Sequence, residues 1–154
     1  MKTLWTLTNR ILDKTASYLP DPLLLALRLY WGWQFFQTGK GKLMNLEATT
    51  EFFADLGLPF AKLNAIMAGS TECFGGLLLL LGLFTRVTCV PLIFTMFVAY
   101  GTAHIEELKG MFSDPDAFVT AAPFLFLLAS VIVFTFGAGK FSLDELLRRR
   151  KAQA

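Results

Sequence analysis

The sequence predicts an all-α integral membrane protein: an antiparallel four-helix bundle preceded by an N-terminal interfacial amphipathic helix. Two observations carry this prediction. Of the 154 residues, 55% are hydrophobic and only 17% are charged, a balance far from that of an ordinary soluble domain. Four segments are also apolar enough, at about 20 residues each, to cross a hydrocarbon core roughly 30 Å thick. Residues 1–154 are therefore predicted to form a single membrane domain.

The N-terminal segment, residues 1–21, is predicted to lie in the membrane interface. Leu4, Ile11, Leu12 and Leu19 recur at roughly helical spacing opposite charged positions, with Trp5 alongside, which is typical of a helix lying on a membrane. Interspersed charges and the lack of an apolar stretch before a small-residue cleavage site argue against a cleavable signal peptide. A partly ordered terminus is the alternative.

The four predicted spans cover about residues 22–38, 63–83, 87–105 and 118–136. Because lipid cannot hydrogen-bond an open backbone, each should be an α-helix. Pro22, Pro91 and Pro123 are predicted to lie in or near first turns, where a missing N–H does little harm. Only "FTR" separates the second and third spans, so these two should form an antiparallel hairpin. The stretch "NLEATTEFFADLGLP" predicts a short amphipathic helix over the mouth of the bundle, ended by Gly57 and Pro59.

The distribution of Lys and Arg outside the spans predicts the orientation, because cytoplasmic loops carry the excess. With both termini cytoplasmic, that side carries nine, namely Lys2, Arg10, Lys14, Arg86, Lys140, Arg148, Arg149, Arg150 and Lys151, and the other side carries Lys40, Lys42, Lys62 and Lys109. In the tail, residues 139–154, Ser142 and Glu145 predict a capping box that opens a short helix. Its basic end would lie beside anionic headgroups, or would be a solvated tail that only fixes topology.

Composition and single-residue counts exclude several classes of function. The net charge of +2 is small and scattered, so a nucleic-acid partner is not expected. His104 is the only histidine, and Glu72 and Cys73 diverge by about 100° on a helix, so no metal site is predicted. Cys73 and Cys89 differ by about 12 Å in predicted depth, too far for an internal disulfide.

The most informative residue is Glu72, a carboxylate near the middle of the second span, where a charge costs about 2.5–3.5 kcal/mol on insertion scales. Its face is otherwise small or apolar, which predicts an interior helix contact rather than a lipid surface. Arg28 is the candidate partner, because the two depths differ by about 8 Å. Alternatively, Arg28 snorkels to the headgroups and Glu72 is protonated. The residues that share this face are Ala65, Ala68, Gly69, Gly75, Gly76 and Leu79.

Further candidates lie in the first and third spans. Trp31, Trp33 and Gln34 are placed inside the membrane in the first span, beside Arg28. Stacked aromatics beside an arginine and amides suit a flat, polar-headed apolar ligand such as a quinone, although aromatics at helical spacing are also typical of packing. His104, near the outer end of the third span, is a candidate proton carrier or a histidine bonded to a nearby carbonyl.

Several stretches together resemble the DoxX family of small bacterial four-helix membrane proteins. The resemblance covers nearly the whole chain from Leu24 onward. It rests on the order and spacing of Arg28, the G-x-G-K-L stretch at residues 39–43, "LGLP" at 56–59, "ECFGGLLLLLGLFTR" at 72–86, His104, and "GKFSLD" at 139–144.

This resemblance implies an inner-membrane location and, in some relatives, membership of oxidoreductase systems concerned with thiosulfate and quinone, thiol or oxidative-stress chemistry. The chain lacks a cysteine pair, haem ligands or a flavin fingerprint of its own, so no intrinsic cofactor is expected and an independent enzymatic activity stays open. The leading interpretation is an accessory subunit that contacts a quinone or lipid and serves a partner oxidoreductase, with membrane lipids around it. A homo-oligomer is left open.

In this interpretation the polar core consists of Arg28, Lys42, Glu72 and His104. Glu72 and His104 are the catalytic candidates. Glu72 would exchange a proton, Arg28 would fix its charge, and Trp31 or Trp33 would stack on the ligand, while Gln34 and Lys42 would complete the binding site. The alternative is a non-enzymatic membrane adaptor or small-solute carrier, in which these charges only hold the bundle together.

Overall fold

The computed structural model describes residues 9–10 and 12–153, and their regular secondary structure is entirely helical. A helical stretch at residues 12–16 precedes the longer helices. The predicted interfacial helix at residues 1–21 stays a prediction, since Leu4, Trp5 and Ile11 lie outside the described residues. The helices used below are α1 Pro20–Met44, α2 Leu46–Asp55, α3 Ala61–Leu81, α4 Thr85–Thr102, α5 Ile105–Lys109, α6 Pro115–Thr120, α7 Ala122–Phe136 and α8 Leu143–Gln153.

Three of the four predicted spans match single helices, and the fourth does not. Within the described residues, α3 and α4 are long and apolar enough to cross a membrane, which matches the second and third predicted spans. The first span lies within α1, which is longer than predicted and continues through Lys42. The fourth prediction was wrong in its continuity: Ala121, with ψ at 137°, separates α6 from α7, and α7 has only 15 residues.

Proline placement explains part of these boundaries. Pro20, Pro115 and Pro123 lie in the first two positions of α1, α6 and α7, where no helical partner for their nitrogen is required. Pro91 lies inside α4, two residues deeper than predicted, because α4 begins at Thr85 rather than at Val87. The hydroxyl of Thr95 donates to the Pro91 carbonyl at 2.9 Å.

Glycines allow α1 and α3 to pack closely in antiparallel fashion. A Cβ at Gly76 would lie 2.5 Å from the backbone nitrogen of Phe36 and 2.7 Å from the Gly32 carbonyl oxygen. A Cβ at Gly39 would collide with the α3 backbone at Cys73. The contact face predicted on α3 is confirmed as an interior surface for Glu72 and five of its six predicted neighbours, which are buried: Ala65, Gly69, Gly75, Gly76 and Leu79. Ala68 is only partly buried, and Cys73, which was not predicted on this face, is buried as well.

The remaining helices complete the packing around a small apolar core. The α4 helix packs mainly against α7 and also against α3, while α1 contacts α7. Both cysteines are buried and free. The predicted amphipathic helix after the first span is confirmed as α2, which packs against α3, and the chain turns at Gly57 with φ at +73°. The core residues are Leu24, Phe35, Leu79, Cys89, Leu92, Met96 and Val133.

Candidate functional site

An apolar cavity of about 410 Å³ lies where α1, α2, α3, α4 and α7 meet. This volume is within the range of small-molecule binding sites, which are typically apolar with a few polar groups. Four phenylalanines contribute to the walls, and α2 contributes two of them. The lining includes Phe52, Phe53, Met67, Phe94, Met96 and Phe126, together with the polar residues Thr38, Lys42, Asn64, Thr71, Glu72, Thr95, Thr102 and His104.

An ion pair lies at the wall of this cavity. The Nζ of Lys42 donates to Glu72 Oε1 at 2.5 Å. The Glu72 side chain is only 2% exposed, whereas that of Lys42 is 32% exposed, so the lysine extends from a partly exposed position to a buried carboxylate. The second oxygen, Glu72 Oε2, is buried and has no hydrogen-bond partner among the described residues. A buried acceptor left in this state costs about 1–3 kcal/mol, and more when charged.

The predicted ion pair between Arg28 and Glu72 is wrong. Arg28 lies against Gly82, because a Cβ at Gly82 would collide with Arg28 Nη1. Gly82 is ten residues from Glu72 along the chain, which corresponds to about 15 Å along a helix axis. The smaller predicted separation assumed that the two helices begin level at the membrane boundary. The glycine contacts set a different register, in which Lys42 contacts Gly69 and so comes within reach of Glu72.

Arg28 instead belongs to a second cluster, which we call the tail clasp, formed by Arg28, the α3–α4 turn and residues 139–144. Arg28 is 1% exposed, and its Nη2 donates to the Phe141 carbonyl at 2.6 Å. The carboxylate of Asp144 accepts from the backbone N–H groups of Phe84 at 2.8 Å and Thr85 at 2.9 Å. The N–H of Asp144 in turn donates to the Gly82 carbonyl at 2.9 Å.

The tail clasp explains an unusual backbone conformation and a second contact with α1. Phe84 has φ at +48°, a left-handed value that is uncommon for residues other than glycine, and the Asp144 carboxylate caps the start of α4 beside it. Near the start of α1, Asp21 pairs with Lys140 at 2.8 Å. The Lys140 side chain, and then its backbone N–H, hold the pKa of the Asp21 carboxyl below its usual range.

The predicted capping box of the tail is half confirmed. Ser142 Oγ accepts from the Glu145 N–H at 3.3 Å. The Glu145 side chain does not reach back toward Ser142, since it accepts from Arg148 and Arg149. These two guanidinium groups lower the pKa of Glu145 to about 2.

His104 lines the cavity at the opposite end of α4 from the tail clasp, two residues beyond the end of that helix. Its Nδ1 is 3.3 Å from Glu107 Oε1, so its partner is a carboxylate rather than the carbonyl considered above. A backbone hydrogen bond of Glu107, and then the His104 imidazole, lower the pKa of that carboxyl. Tyr100 is 6.2 Å from His104 between ring centroids, and its hydroxyl donates to the Phe118 carbonyl at 2.8 Å.

The cavity brings together only part of the predicted site. Lys42, Glu72 and His104 line it, whereas Arg28, Trp31, Trp33 and Gln34 do not. Trp31 reaches the cavity indirectly, by packing edge-on against Phe126 with centroids 4.9 Å apart. Trp33 is half exposed and packs beside Phe36. The phenylalanines of α2 were missed as site residues, although the predicted position of that helix over the bundle mouth could have indicated them.

Comparison with known proteins identifies the family of the chain. The DoxX family model matches residues 23–105, which is more than half of the chain. The chain belongs to the DoxX family. The matched region contains Lys42, Glu72 and His104, and ends before the part of the tail clasp that residues 139–144 supply. No solved structure shows significant similarity to the chain.

Three relatives illustrate what this DoxX protein is similar to. The inner membrane protein YphA of Escherichia coli is 33% identical, over 80% of this chain and 89% of its own length. The Bacillus subtilis protein named "Putative oxidoreductase CatD" is 32% identical, over 82% of this chain and 88% of its own length. An uncharacterized membrane protein of Mycobacterium tuberculosis is 31% identical, over 84% and 83%. The chain is therefore a DoxX family membrane protein.

Proposed function

We propose that this chain is a four-helix subunit of the bacterial inner membrane that binds the polar head of an apolar ligand, a quinone or a lipid, and serves a partner oxidoreductase. The observation that carries the proposal is the Lys42–Glu72 pair, whose carboxylate is buried, at the wall of a largely apolar cavity. Charged groups inside membrane segments are expensive and typically mark ligand or proton pathways. The proposal assigns α1, α3, α4 and α7 as the four helices, with both termini cytoplasmic.

The size and lining of the cavity support an aromatic headgroup. A volume of about 410 Å³ is large enough for a substituted ring, and Phe52, Phe94 and Phe126 offer flat apolar surface around it. The role first assigned to Arg28, fixing the charge of Glu72, passes to Lys42. The stacking role first assigned to Trp31 or Trp33 passes to the cavity phenylalanines. Glu72 remains the proposed proton-exchanging group, and His104 the second candidate.

The accessory role is supported by what the sequence lacks and by the name of one relative. The sequence contains no flavin fingerprint, and its two cysteines are buried and free in separate helices, so redox chemistry would come from a partner. The Bacillus subtilis relative is named as a putative oxidoreductase, which fits an oxidoreductase-associated role linked to thiol or oxidative-stress chemistry.

Binding of a short-tailed benzoquinone to the purified protein tests the proposal. The readouts are thermal stabilisation and quenching of tryptophan fluorescence, since Trp31 packs on a cavity phenylalanine. We expect Ala99→Leu, which adds bulk to a cavity-lining position, to weaken binding at least tenfold. The matched control, Ala26→Leu on the exposed face of α1, should bind as wild type. Equal binding by all three proteins would place the ligand elsewhere.

A non-enzymatic adaptor is the second candidate, and the tail clasp favours it. Arg28 is buried, and within the described residues its guanidinium donates to a backbone carbonyl rather than to a side chain, so this charge already has a structural role. Mass spectrometry of lipids and proteins that copurify with the detergent-extracted protein distinguishes the two functions. A quinone and an oxidoreductase subunit support the first, whereas partner proteins without a redox centre, together with no quinone binding, support the adaptor.

A further inference from the structure

The hydrogen bonds that Glu72 already makes determine which group a ligand must bring to it. Lys42 occupies Oε1, while Oε2 is buried and lacks a hydrogen-bond partner within the described part of the chain. A carboxylate paired with a lysine can only accept hydrogen bonds. A ligand that completes this group must therefore bring a donor, such as a hydroxyl.

The threonines around the cavity strengthen this requirement. The hydroxyl of Thr38 donates to carbonyls of its own helix at Phe35 and Gln34, at 3.0 and 3.1 Å. Thr95 and Thr102 do the same four residues back along α4, at 2.9 and 2.8 Å. Since each hydroxyl has a single hydrogen, these three side chains offer only acceptor lone pairs to the cavity.

The oxidised and reduced forms of a quinone differ in this property. A quinone has two carbonyl oxygens, which only accept, and would leave Glu72 Oε2 without a partner. A hydroquinone has two hydroxyl groups, each of which donates one hydrogen bond and can accept another. Glu72 Oε2 and these three hydroxyls thus favour the reduced ligand, whereas Lys42, which also lines the cavity, can donate to an oxygen of either form.

We propose that the cavity selects the reduced, hydroxyl-bearing form of an aromatic ligand, whose phenolic hydroxyl donates to Glu72 Oε2. The inference rests on the proposed function, since it requires the cavity to bind a quinone-type ligand. It adds the redox state of the ligand that is held, and it assigns Glu72 as the residue that discriminates between the two forms.

Three probes with the same ring and tail separate donor selectivity from simple cavity filling: a hydroquinone, its quinone and its dimethyl ether. Dissociation constants are measured without oxygen, so that the hydroquinone stays reduced. For the wild type we expect the hydroquinone to bind at least tenfold more tightly than the other two, because removal of an essential hydrogen-bond donor leaves the carboxylate unpaired. The ether keeps the ring electron-rich but removes both donors.

Glu72→Gln tests the assignment of the residue. Its amide can donate as well as accept, so quinone binding should be kept or improved and the preference for the hydroquinone should fall below threefold. Glu51→Gln, on the exposed surface of α2, is the matched control and should keep the wild-type preference. The wild-type comparison needs no variant, so it decides the question even where Glu72→Gln folds poorly.

The outcomes separate the inference from the function on which it rests. Equal affinity for the three probes, or tightest binding of the quinone, overturns the donor selectivity while leaving the binding site intact. Failure of all three probes to bind overturns both. Diacylglycerol supplies the same hydroxyl from a lipid, and tighter binding of diacylglycerol than of the hydroquinone would overturn the aromatic assignment.

Discussion

The Lys42–Glu72 pair should respond asymmetrically to the loss of either partner. Replacing Lys42 with Met leaves a carboxylate that is only 2% exposed without its counter-ion, whereas replacing Glu72 with Leu leaves a lysine whose side chain is 32% exposed. The lysine can turn toward water, since its long stem allows the charged end to leave the apolar surface. The Glu72 carboxylate cannot reach water in this way, because its side chain is short and buried.

The magnitudes follow from this difference in exposure. Removing one partner of a buried pair costs about 3–5 kcal/mol, which we expect for Lys42→Met. For Glu72→Leu the remaining charge is partly solvated, and about 1 kcal/mol is expected. The double variant contains neither charge and should be close to Glu72→Leu, so the magnitude of the coupling energy is about 3–5 kcal/mol. At about 2–4 °C per kcal/mol for a chain of this size, Lys42→Met should lower Tm by about 6–20 °C.

Thermal unfolding of the four proteins in one detergent, followed by tryptophan fluorescence, measures these differences. Arg28→Leu combined with Glu72→Leu is the matched control cycle, because those side chains lie about 15 Å apart along the helix axes and their effects should add within about 0.5 kcal/mol. Additive losses for Lys42 and Glu72, or a milder effect of Lys42→Met than of Glu72→Leu, would refute this account of the pair.

Three further predictions concern the tail clasp and the orientation. Gly82→Ala should destabilise the protein by more than about 1 kcal/mol, since φ is +66° and the new Cβ would meet Arg28; an unchanged Tm would contradict the packing. Glu145 has a pKa near 2 in the folded protein, against 4.5 ordinarily. Its stabilising contribution to α8 is therefore complete above about pH 4.5 and disappears as the pH falls through 2. Carboxyl NMR and circular dichroism would follow this loss, and a titration midpoint near 4.5 would argue against the pairing of Glu145 with Arg148 and Arg149. Reporter fusions at Ala154 and after Lys109 should be cytoplasmic and periplasmic respectively; an exported C-terminus would reverse the orientation.

Patterns of local sequence were sufficient to predict most of the helical elements. The small residues around Glu72 indicated an interior face, and the spacing of apolar residues after Asn45 indicated α2, because both depend on periodicity within one helix. The break at Ala121 was missed. Its ψ of 137° lies at the junction of two short helices, which an apolar run does not reveal.

The partner of Glu72 was mispredicted because sequence patterns within one helix do not show how two helices align. Choosing between Arg28 and Lys42 requires the sliding register of α1 against α3, and that register depends on which glycines pack together. Gly32 against Gly76, and Gly39 against Gly69 and Cys73, set the level of every other residue. The prediction instead counted residues from the end of each helix. Because the two helices differ in length, that count gives the wrong offset between Arg28 and Glu72.

The tail clasp also bears on the order in which contacts can form while the protein is synthesised. Arg28 and the carbonyl that it bonds are separated by 113 residues, and a ribosome adds about 5–20 residues per second, so the interval between their syntheses is on the order of ten seconds. Throughout that interval Arg28 is present in α1 without its hydrogen-bond acceptor, because Phe141 and Asp144 have not yet been synthesised. The last-made residues described here therefore act as a closing step of biosynthesis: until they arrive, the α3–α4 turn lacks its cap and the most deeply buried arginine lacks its acceptor.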